Sequence, residues 1–413
     1  MSTTVGTEMP TTSIDELLDG FGRFIDAVIM PLEDENADRL NNPRELYNED
    51  GSYSRWYRDL VREAKSAAAE AGYYSMFCPT SIGGGGLGYT EMFQTYEFIY
   101  HRYGPHRRLV QELLAHWAMG PSFLCTHFTE ALRTDLLDDL LAGTVEMCFG
   151  MSEPDAGSDA WMMSTSATRD GDEWVINGTK QWTSNSPTAD YCYLFAVTDP
   201  DLKRERRGGV SCFVVPMSAP GVQVDSVIRL FGEIGGNEGI VSFSNVRVPA
   251  THLVGVENQG FKLAMGGVSL GRLYNASRGV GLSRWLLEQA TEHAKSRVTF
   301  GKPIAEYQGI SFKLAESMMD IYAARCVSLD LAARLDRGEG AVRELAMAKA
   351  ISVEALLRVA DRCMQVCGAM GLTNEMHFYS AWHMARSLQL ADGSAEILRV
   401  TVANRVLKGD VNF

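Results

Sequence analysis

The spacing of apolar residues changes twice along the chain, and this change limits the folds that it can adopt. Towards both ends, apolar residues recur at helical spacing. Between about residues 148 and 249, short β-branched and alternating runs are separated by turn residues. The sequence therefore predicts an α+β protein: an N-terminal helical domain (1–146), a central β-barrel-like domain (147–254) and a C-terminal four-helix bundle (255–413).

Two helices of the first region have recognisable ends. Ser13 and Glu16 can form a capping box before an apolar pattern that continues to Pro31. A second helical pattern covers residues 54–71. The glycine-rich segment 81–88 lacks both the Lys-Ser/Thr ending of a phosphate-binding loop and a preceding strand, so we interpret it as a turn between helices.

A β-hairpin is the clearest signal in the middle region. Residues 173–176 and 179–183 have strand character, and Asn177-Gly178 between them favours a tight two-residue turn. Further strands are predicted at residues 191–197, 209–215, 222–228 and 240–248. The charged segment 203–207 falls between two of these strands, and we interpret it as a solvated loop tip.

Four long helical patterns make up the last region. They cover residues 260–299, 306–335, 341–367 and 376–407. Glycine-containing breaks separate them, and short connections between four helices favour an antiparallel bundle.

The charge of the chain argues against two classes of partner. Its 413 residues include 38 Lys and Arg against 52 Asp and Glu, a formal net charge of −14. Such an acidic surface disfavours nucleic acids and anionic membranes, although a few local arginines can still hold an anionic small ligand. The sequence shows neither a membrane-spanning apolar run nor a basic N-terminal leader, so we expect a cytoplasmic protein.

The eight cysteines do not form a metal-binding pattern. Cys363 and Cys367 are four residues apart on a predicted helix, but no second pair completes a zinc site. We expect reduced, mostly buried thiols and no metal site.

Residues 149–159 form the segment with the strongest functional character. Small and hydroxyl-bearing residues there offer donors for carbonyl, flavin or phosphate oxygens, although the same composition also suits an ordinary loop. The predicted hairpin returns Trp182 and Ser184 to the same end of the β region. An indole beside a hydroxyl would form a wall for a flat ring such as a flavin, which favours a binding site.

Four segments, in order, resemble motif blocks of the acyl-CoA dehydrogenase family. They are Met151–Asp159, the run Asn177–Asn185, Arg297–Pro303 with Tyr307-Gln308, and Gln365–Gly371. The resemblance extends along nearly the whole chain, from about Ser13 to Leu407. It implies the same three-part fold, FAD as cofactor and a homotetramer.

The resemblance also implies which residues contact FAD. Those lining the isoalloxazine ring would be Phe149, Met151, Ser152, Ser158, Trp182 and Ser184, with Ser152 and Ser184 near N5 and the pyrimidine side. Those reaching the FAD of a neighbouring subunit would be Arg297, Thr299, Phe300 and Gln308. Those near the adenosine or diphosphate would be Gln365, Gly368 and Ala369, with Ser394 and Glu396 also approaching the dinucleotide.

The catalytic base implied by the resemblance departs from the commonest pattern of the family. Asp392 stands where most members have Glu, and this Asp form resembles a subgroup with an aspartate base. The alternative base position, just before Arg272, holds Gly271. Asp392 could also be a helix N-cap, which would lower its pKa unless an apolar pocket opposed that effect. We interpret His377 and His383 as structural or intersubunit residues.

The resemblance implies an FAD-dependent acyl-CoA dehydrogenase that forms a 2-enoyl-CoA. Asp392 would remove the α-proton and flavin N5 would accept the hydride. Arg272 and Ser158 would contact the acyl-CoA substrate, and an electron-transfer flavoprotein would accept the electrons. Two alternatives remain: a flavin oxidase or monooxygenase on the same fold, similar to nitroalkane oxidase, and a non-enzymatic protein that retains the fold.

Overall fold

The computed structural model describes residues 13–412. The helices of the N-terminal part are α1 Ile14–Phe24, α2 Met30–Glu35, α3 Ala37–Leu40, α4 Pro43–Leu46, α5 Arg55–Glu70, α6 Tyr89–Tyr103 and α7 Glu130–Leu141. The predicted capping box is confirmed, with Ser13 and Glu16 exchanging hydrogen bonds of 3.0 and 3.3 Å. The helical pattern predicted at residues 54–71 is α5, which Ser54 caps. The first pattern does not end at Pro31, because a π-helical turn leads into α2 and the proline lies in that helix's first turn, where no N–H is needed.

The middle part contains one eight-stranded sheet. Its strands are β1 Met147–Gly150, β2 Ser166–Asp170, β3 Glu173–Ser184, β4 Tyr191–Val197, β5 Val210–Pro216, β6 Val222–Ile228, β7 Glu238–Pro249 and β8 Leu253–Val254. The strand order is β6-β7-β3-β2-β4-β5-β8, with β1 pairing in parallel with β4. A short helix, α8 Pro200–Arg204, connects β4 to β5. Both faces of the sheet carry buried apolar clusters, so this part has its own core.

The hairpin predicted at Asn177-Gly178 is wrong. β3 passes through both residues as one strand, pairing with β7, and the register shifts between Ile176 and Gly178. Ile176 pairs with Val246 and Gly178 with Phe243, so the extra residue lies in β7 and Asn177 stands opposite that bulge. A side chain at Gly178 would overlap Thr165. The turn lies earlier, at Gly171 between β2 and β3, where φ is 61°. β3 still runs beside the segment that follows β1, since the N–H of Gln181, next to Trp182, donates to the Ser152 carbonyl.

The C-terminal part is built on three long helices, followed by two shorter ones. These are α9 Gly260–Ser296, α10 Gln308–Asp336, α11 Val342–Cys367, α12 Phe378–Leu388 and α13 Ala395–Leu407, with β9 Val298–Thr299 and β10 Lys302–Pro303 between α9 and α10. The single helix predicted at 376–407 is wrong, because the chain breaks between α12 and α13. Asp392 and Gly393 both have positive φ there, 54° and 95°, which no helix can continue. That break creates the loop that carries Asp392.

The N-terminal helices and the C-terminal helices share one apolar core. Tyr96 of α6 packs edge-on against Tyr274 of α9, with ring centroids 4.5 Å apart. The Tyr274 hydroxyl also lies 3.1 Å from that of Tyr100. All eight cysteines are free, as predicted, and Cys326 is the exposed one. No helix between residues 13 and 412 is both long and apolar enough to cross a membrane.

Candidate active site

The loop between α12 and α13 is held in place by cations from two other helices. Lys349 of α11 donates from Nζ to the carbonyls of Ala391 and Gly393, both at 2.9 Å. Arg272 of α9 donates from Nε to the Asp392 carbonyl at 3.1 Å. Three backbone carbonyls of the loop are therefore bound by buried or half-buried cations, which fixes the position of Asp392 between α9 and α11.

Asp392 is not the N-cap of α13, so that alternative is wrong. Ser394 caps the helix, accepting a hydrogen bond from the Ile397 N–H at 3.4 Å. Glu396 lies exposed in the first turn of α13, and hydrogen bonds from its own backbone N–H and from Ser394 lower its pKa. The helix N-terminus therefore acts on Ser394 and Glu396 more directly than on the Asp392 carboxylate.

The Asp392 carboxylate faces α9 in a polar but desolvated environment. Asn275 donates from Nδ2 to Asp392 Oδ2 at 2.8 Å, and Arg278 donates to the Asn275 carbonyl oxygen at 2.6 Å. Burial raises the pKa of Asp392, whereas Lys349, Arg278, Asn275 and Arg272 lower it, and the net shift is upward. The desolvation that a base on this loop requires is present, and it outweighs the neighbouring cations.

Gly271 lies directly against the Asp392 carboxylate. A Cβ at position 271 would stand 2.5 Å from Asp392 Oδ2, a distance that forbids any side chain there. The two base positions suggested by the sequence therefore meet at one point in space. Because the carboxylate from the loop fills that point, α9 carries a glycine.

An aromatic wall connects Asp392 to the β-sheet. Trp117 lies near Gly271, with its Nε1 3.0 Å from the same Cβ point, and packs edge-on against Phe149 at 4.9 Å between centroids. Phe149, at the end of β1, packs in turn on Phe195 of β4 at 4.8 Å. Asp392 and the segment that follows β1 thus share one site between the middle and C-terminal parts.

The segment after β1 is pinned to β3. Lys180, fully buried, donates to the Met151 carbonyl at 3.0 Å and to Glu153 at 2.8 Å. The Gln181 N–H donates to the Ser152 carbonyl at 2.9 Å. Burial raises the pKa of Glu153, but Lys180 and further hydrogen bonds outweigh it and lower the value to about 2. Met151 and Ser152 are therefore presented by a rigid backbone.

Trp182 and Ser184, both predicted to contact flavin, stand at the end of β3. The β3–β7 register shifts again between Lys180 and Thr183. Trp182 lies at this irregularity with a φ of 59°, and its side chain is 52% exposed. Ser184 Oγ donates to both oxygens of Glu238 on β7, at 2.9 and 2.8 Å. Burial raises the pKa of Glu238 to about 6, and Ser184 lowers it. Ser158 is exposed on the preceding loop.

The remaining predicted cofactor residues lie away from Asp392. The set at the C-terminal end of α9 and beyond it is Arg297, Thr299, Phe300 and Gln308. At about 1.5 Å per residue, α9 separates Arg297 from Arg272 by roughly 35–40 Å. The set at the C-terminal end of α11 is Gln365, Gly368 and Ala369, roughly 24–30 Å along the helix direction from Lys349. The chain does not bring either set to its own Asp392.

The charged segment 203–207 is more than a solvated loop tip. Lys203, Arg204 and Arg206 line a cleft whose other walls include Ser164 and Trp161. Arg206 donates to Asp159, at the end of the 149–159 segment, at 3.0 Å. A basic cleft therefore opens beside that segment, which the sequence did not predict.

His377 and His383 lie on α12 or just before it. The His377 ring stacks on His106 at 4.5 Å between centroids. His383 lies 4.0 Å from Glu233 and packs edge-on against Phe231. Their contacts are with these residues rather than with Asp392.

Four residues beside Asp392 were missed by the sequence reasoning: Trp117, Asn275, Arg278 and Lys349. Two of them carried a signal. Asn275 and Arg278 follow Arg272 at successive intervals of three, which places three polar side chains on one stripe of the helix. Trp117 and Lys349 carried none, because only the tertiary fold brings them to the loop.

Two protein-family models match the chain. The model "Acyl-CoA dehydrogenase, middle domain" matches residues 148–246, and "Acyl-CoA dehydrogenase, C-terminal domain" matches residues 258–407. Together they cover more than half of the chain, including Phe149 and the Asp392 loop.

Known proteins resemble the chain over most of its length. The mitochondrial short-chain specific acyl-CoA dehydrogenase of Bos taurus is 32% identical over 339 residues, 82% of this chain and 81% of that protein. The Homo sapiens protein of the same name is 34% identical over 261 residues, which span 63% of this chain and 63% of that relative's length. A putative acyl-CoA dehydrogenase structure from Mycobacterium abscessus superposes with a TM-score of 0.84 at 29% identity, covering 98% of this chain and all of the other.

Proposed function

The chain belongs to the acyl-CoA dehydrogenase family, and on that premise we propose that it oxidises an acyl-CoA thioester to a 2-enoyl-CoA with Asp392 as the base. One observation carries the proposal above all. The Asp392 carboxylate is desolvated, hydrogen-bonded by Asn275 and placed at the junction with the β-sheet. A raised pKa in such a place suits a group that takes a proton from a weak carbon acid.

FAD fits the residues at the end of the β-sheet. Phe149 and Met151 are apolar, the backbone of Ser152 is pinned, and the exposed indole of Trp182 stands beside Ser184. An indole that is 52% exposed on a bulged strand is a stacking surface that the chain itself does not cover. We propose that these residues, with Ser158, Ser394 and Glu396, hold FAD. When bound, FAD accepts the hydride from the β-carbon.

Asp392 has the setting that α-proton removal requires. Asn275 fixes the direction of one oxygen, and Lys349 fixes the loop, so the carboxylate is oriented before substrate arrives. Lys349, Arg278 and Arg272 lower the pKa of the carboxylate, against the larger effect of burial. Asp392 therefore combines limited solvation with a raised pKa, which suits a group that accepts a proton.

Cationic side chains outside the loop that carries Asp392 are available to bind the CoA portion of the substrate. Arg272 donates only from Nε to the protein, so among residues 13–412 its two terminal nitrogens have no partner and are available to the substrate. Lys203, Arg204 and Arg206 line the cleft beside the 149–159 segment. We propose that Arg272 and Ser158 contact acyl-CoA and that the basic cleft attracts the CoA phosphates.

Assembly into a homotetramer accounts for the distant cofactor residues. Arg297, Gln308 and Gln365 are exposed, and Phe300 is 97% exposed at the end of α9. On α10, the apolar side chain of Met319 is 72% exposed. Exposed apolar surface of this kind favours a contact with another subunit. We propose that these ends reach the FAD of a neighbouring subunit, and that an electron-transfer flavoprotein reoxidises the enzyme.

An anaerobic scan of acyl-CoA thioesters tests the proposed function. The FAD-loaded protein should lose its oxidised flavin absorbance on mixing with a substrate, with one 2-enoyl-CoA formed per flavin bleached. Bleaching without enoyl-CoA, or no bleaching by any thioester, would contradict it. Rapid aerobic turnover of a nitroalkane with release of hydrogen peroxide and no need for CoA would favour the oxidase alternative.

A further inference from the structure

Two hydrogen-bond donors beside Asp392 have no partner in the part of the chain that the structure describes. Trp117 is 6% exposed, and its Nε1 hydrogen-bonds to no residue in the described part of the chain. The buried Nε of Arg278 is equally without a partner between residues 13 and 412. Trp117 Nε1 and Asp392 Oδ2 lie 3.0 and 2.5 Å from a single point, the Cβ position of Gly271, so the unpaired indole N–H is close to the proposed base.

His116 contributes a third donor to the same wall. Its Nδ1 accepts the Ala118 N–H at 3.3 Å, and burial lowers its pKa to about 3, so the ring is neutral. The hydrogen-bond pattern then assigns the ring proton to Nε2, which bonds to no residue within 13–412 but, unlike the other two donors, is not fully shielded from solvent. The ring packs edge-on against Tyr274 at 5.1 Å, and the Arg278 guanidinium lies 4.1 Å over the same tyrosine.

These donors share one chemical property. Trp and Arg side chains donate hydrogen bonds and cannot accept them, and His116 presents its donor nitrogen. A buried donor left unpaired costs about 1–3 kcal/mol, so an acyl chain made only of methylenes would leave that cost in place. A group with acceptor oxygens would remove it.

The charges beside the base favour an anionic group. The positive charges of Arg272, Arg278 and Lys349 each lower the pKa of Asp392. Burial lowers the pKa of Lys349 to about 8, which leaves it largely protonated at neutral pH. The negative charge of Glu354 raises the pKa of Lys349, but Glu354 is itself paired with Arg399, which donates to it at 2.6 Å. The single carboxylate of Asp392 therefore faces more positive charge than it neutralises.

We infer that the acyl group of the substrate carries an oxygen acceptor beyond its reacting carbons, and that Trp117 and Arg278 bind this oxygen. A carboxylate matches both the donors and the charge, and a hydroxyl or carbonyl oxygen matches the donors alone. The inference rests on the proposed function, since it names the substrate class of the same site.

Three matched thioesters test the inference on the wild-type holoenzyme. At each chain length, kcat/KM is compared for acyl-CoA ending in a carboxylate, a hydroxyl or a methyl group. We expect the carboxylate to exceed the methyl by about 10- to 100-fold, with the hydroxyl between them. Equal or better turnover of the methyl compound at every length would overturn the inference and leave the dehydrogenase function standing. No turnover of any thioester would overturn both.

Trp117→Phe removes the indole N–H and keeps an aromatic ring in the wall. We expect it to lower kcat/KM for the carboxylate about tenfold more than for the methyl compound, because only the former loses a hydrogen bond. The matched control is Trp56→Phe, whose indole lies under Arg39 in the N-terminal part. An equal loss on all three thioesters in Trp117→Phe would show that the ring contributes shape alone, and would overturn the inference. Arg278 is the poorer test, because it also holds Asn275 against Asp392.

Discussion

Two carboxyl groups at this site have raised pKa values from the same cause, yet their surroundings differ. Burial is the largest influence on both Asp392 and Glu238. Asp392 is surrounded by Lys349, Arg278 and Arg272 as well as by the amide of Asn275. Glu238 has the Ser184 hydroxyl and no salt bridge among residues 13–412.

The difference separates a carboxyl whose desolvation is partly offset by cations from one that has only a hydroxyl to offset it. The cations that face Asp392 lower its pKa against burial, which favours the anion that accepts a proton. Without a cation, Glu238 gains or loses its proton at about pH 6. Burial raises the pKa of both carboxyls. Neighbouring cations lower the pKa of Asp392 again, whereas Glu238 has only the Ser184 hydroxyl to lower its pKa. Four changes break or sharpen this comparison.

Asp392→Asn should have the largest effect. It keeps the shape and the Asn275 contact but removes the proton acceptor, and loss of a positioned base costs on the order of 10²–10⁴ in rate. The rate of flavin reduction by the best acyl-CoA, measured anaerobically by stopped flow, checks it. Retention of FAD and of the melting temperature is the control. Near-normal reduction would remove Asp392 from the role of base.

Asp392→Glu should cost about 10²-fold in the same measurement. The side chain grows by about 1.5 Å, while Oδ2 already lies against Gly271 and Asn275. A misplacement of about 1 Å can cost 10²-fold. Full activity of the glutamate variant would mean that the loop adjusts freely, contrary to the anchoring that Lys349 and Arg272 provide.

Asn275→Leu should shift the acidic limb of the pH profile upward. The Asn275 amide lowers the pKa of Asp392, and Asp392 must be ionised to act, so activity is lost as pH falls through its pKa. Removing the donor should move that limb about one pH unit higher, as expected for one hydrogen bond to a charged group. The kcat/KM–pH profile checks it. A lower maximum with an unshifted limb would indicate a purely structural role.

Glu238→Gln should have the smallest effect, on stability. The folded-state pKa of Glu238, about 6, lies above the ordinary value of 4.5, so ionisation destabilises the fold as pH rises through this interval. The variant should therefore be more stable than wild type by about 2 kcal/mol above this interval and equal to it below. Thermal unfolding at both pH values, at equal FAD loading, checks it. Ser184→Ala, which removes the hydrogen bond to the anion, should show the opposite sign.

The sequence predicted the order of the three parts because periodicity is a local property. It failed where tertiary contacts overrode local preference. Asn177-Gly178 stayed within a strand because β7 pairs along the whole of β3, with an extra β7 residue opposite Asn177. The helix predicted at 376–407 broke because Lys349 and Arg272, distant in sequence, bind the carbonyls of the loop.

The site was predictable to the extent that motifs named its residues. Asp392 and Gly271 were identified as the two base positions, but their contact could not be derived from spacing, since one lies on the loop before α13 and the other on α9. Trp117 lies far from both in sequence, and only the packing of Phe149 and α9 brings it to the wall. Partners of a functional residue are thus harder to predict than the residue itself.

Deuterium incorporation at the substrate α-carbon tests the central claim most directly. The FAD-loaded protein is incubated anaerobically in D₂O with a mixture of an acyl-CoA and its 2-enoyl-CoA, and mass spectrometry follows label at the α-carbon of the recovered acyl-CoA. If Asp392 carries the proton, wild-type protein incorporates deuterium, and Asp392→Asn does so at least about 10²-fold more slowly. Incorporation by Asp392→Asn at the wild-type rate would contradict the account, because another group would then move the α-proton.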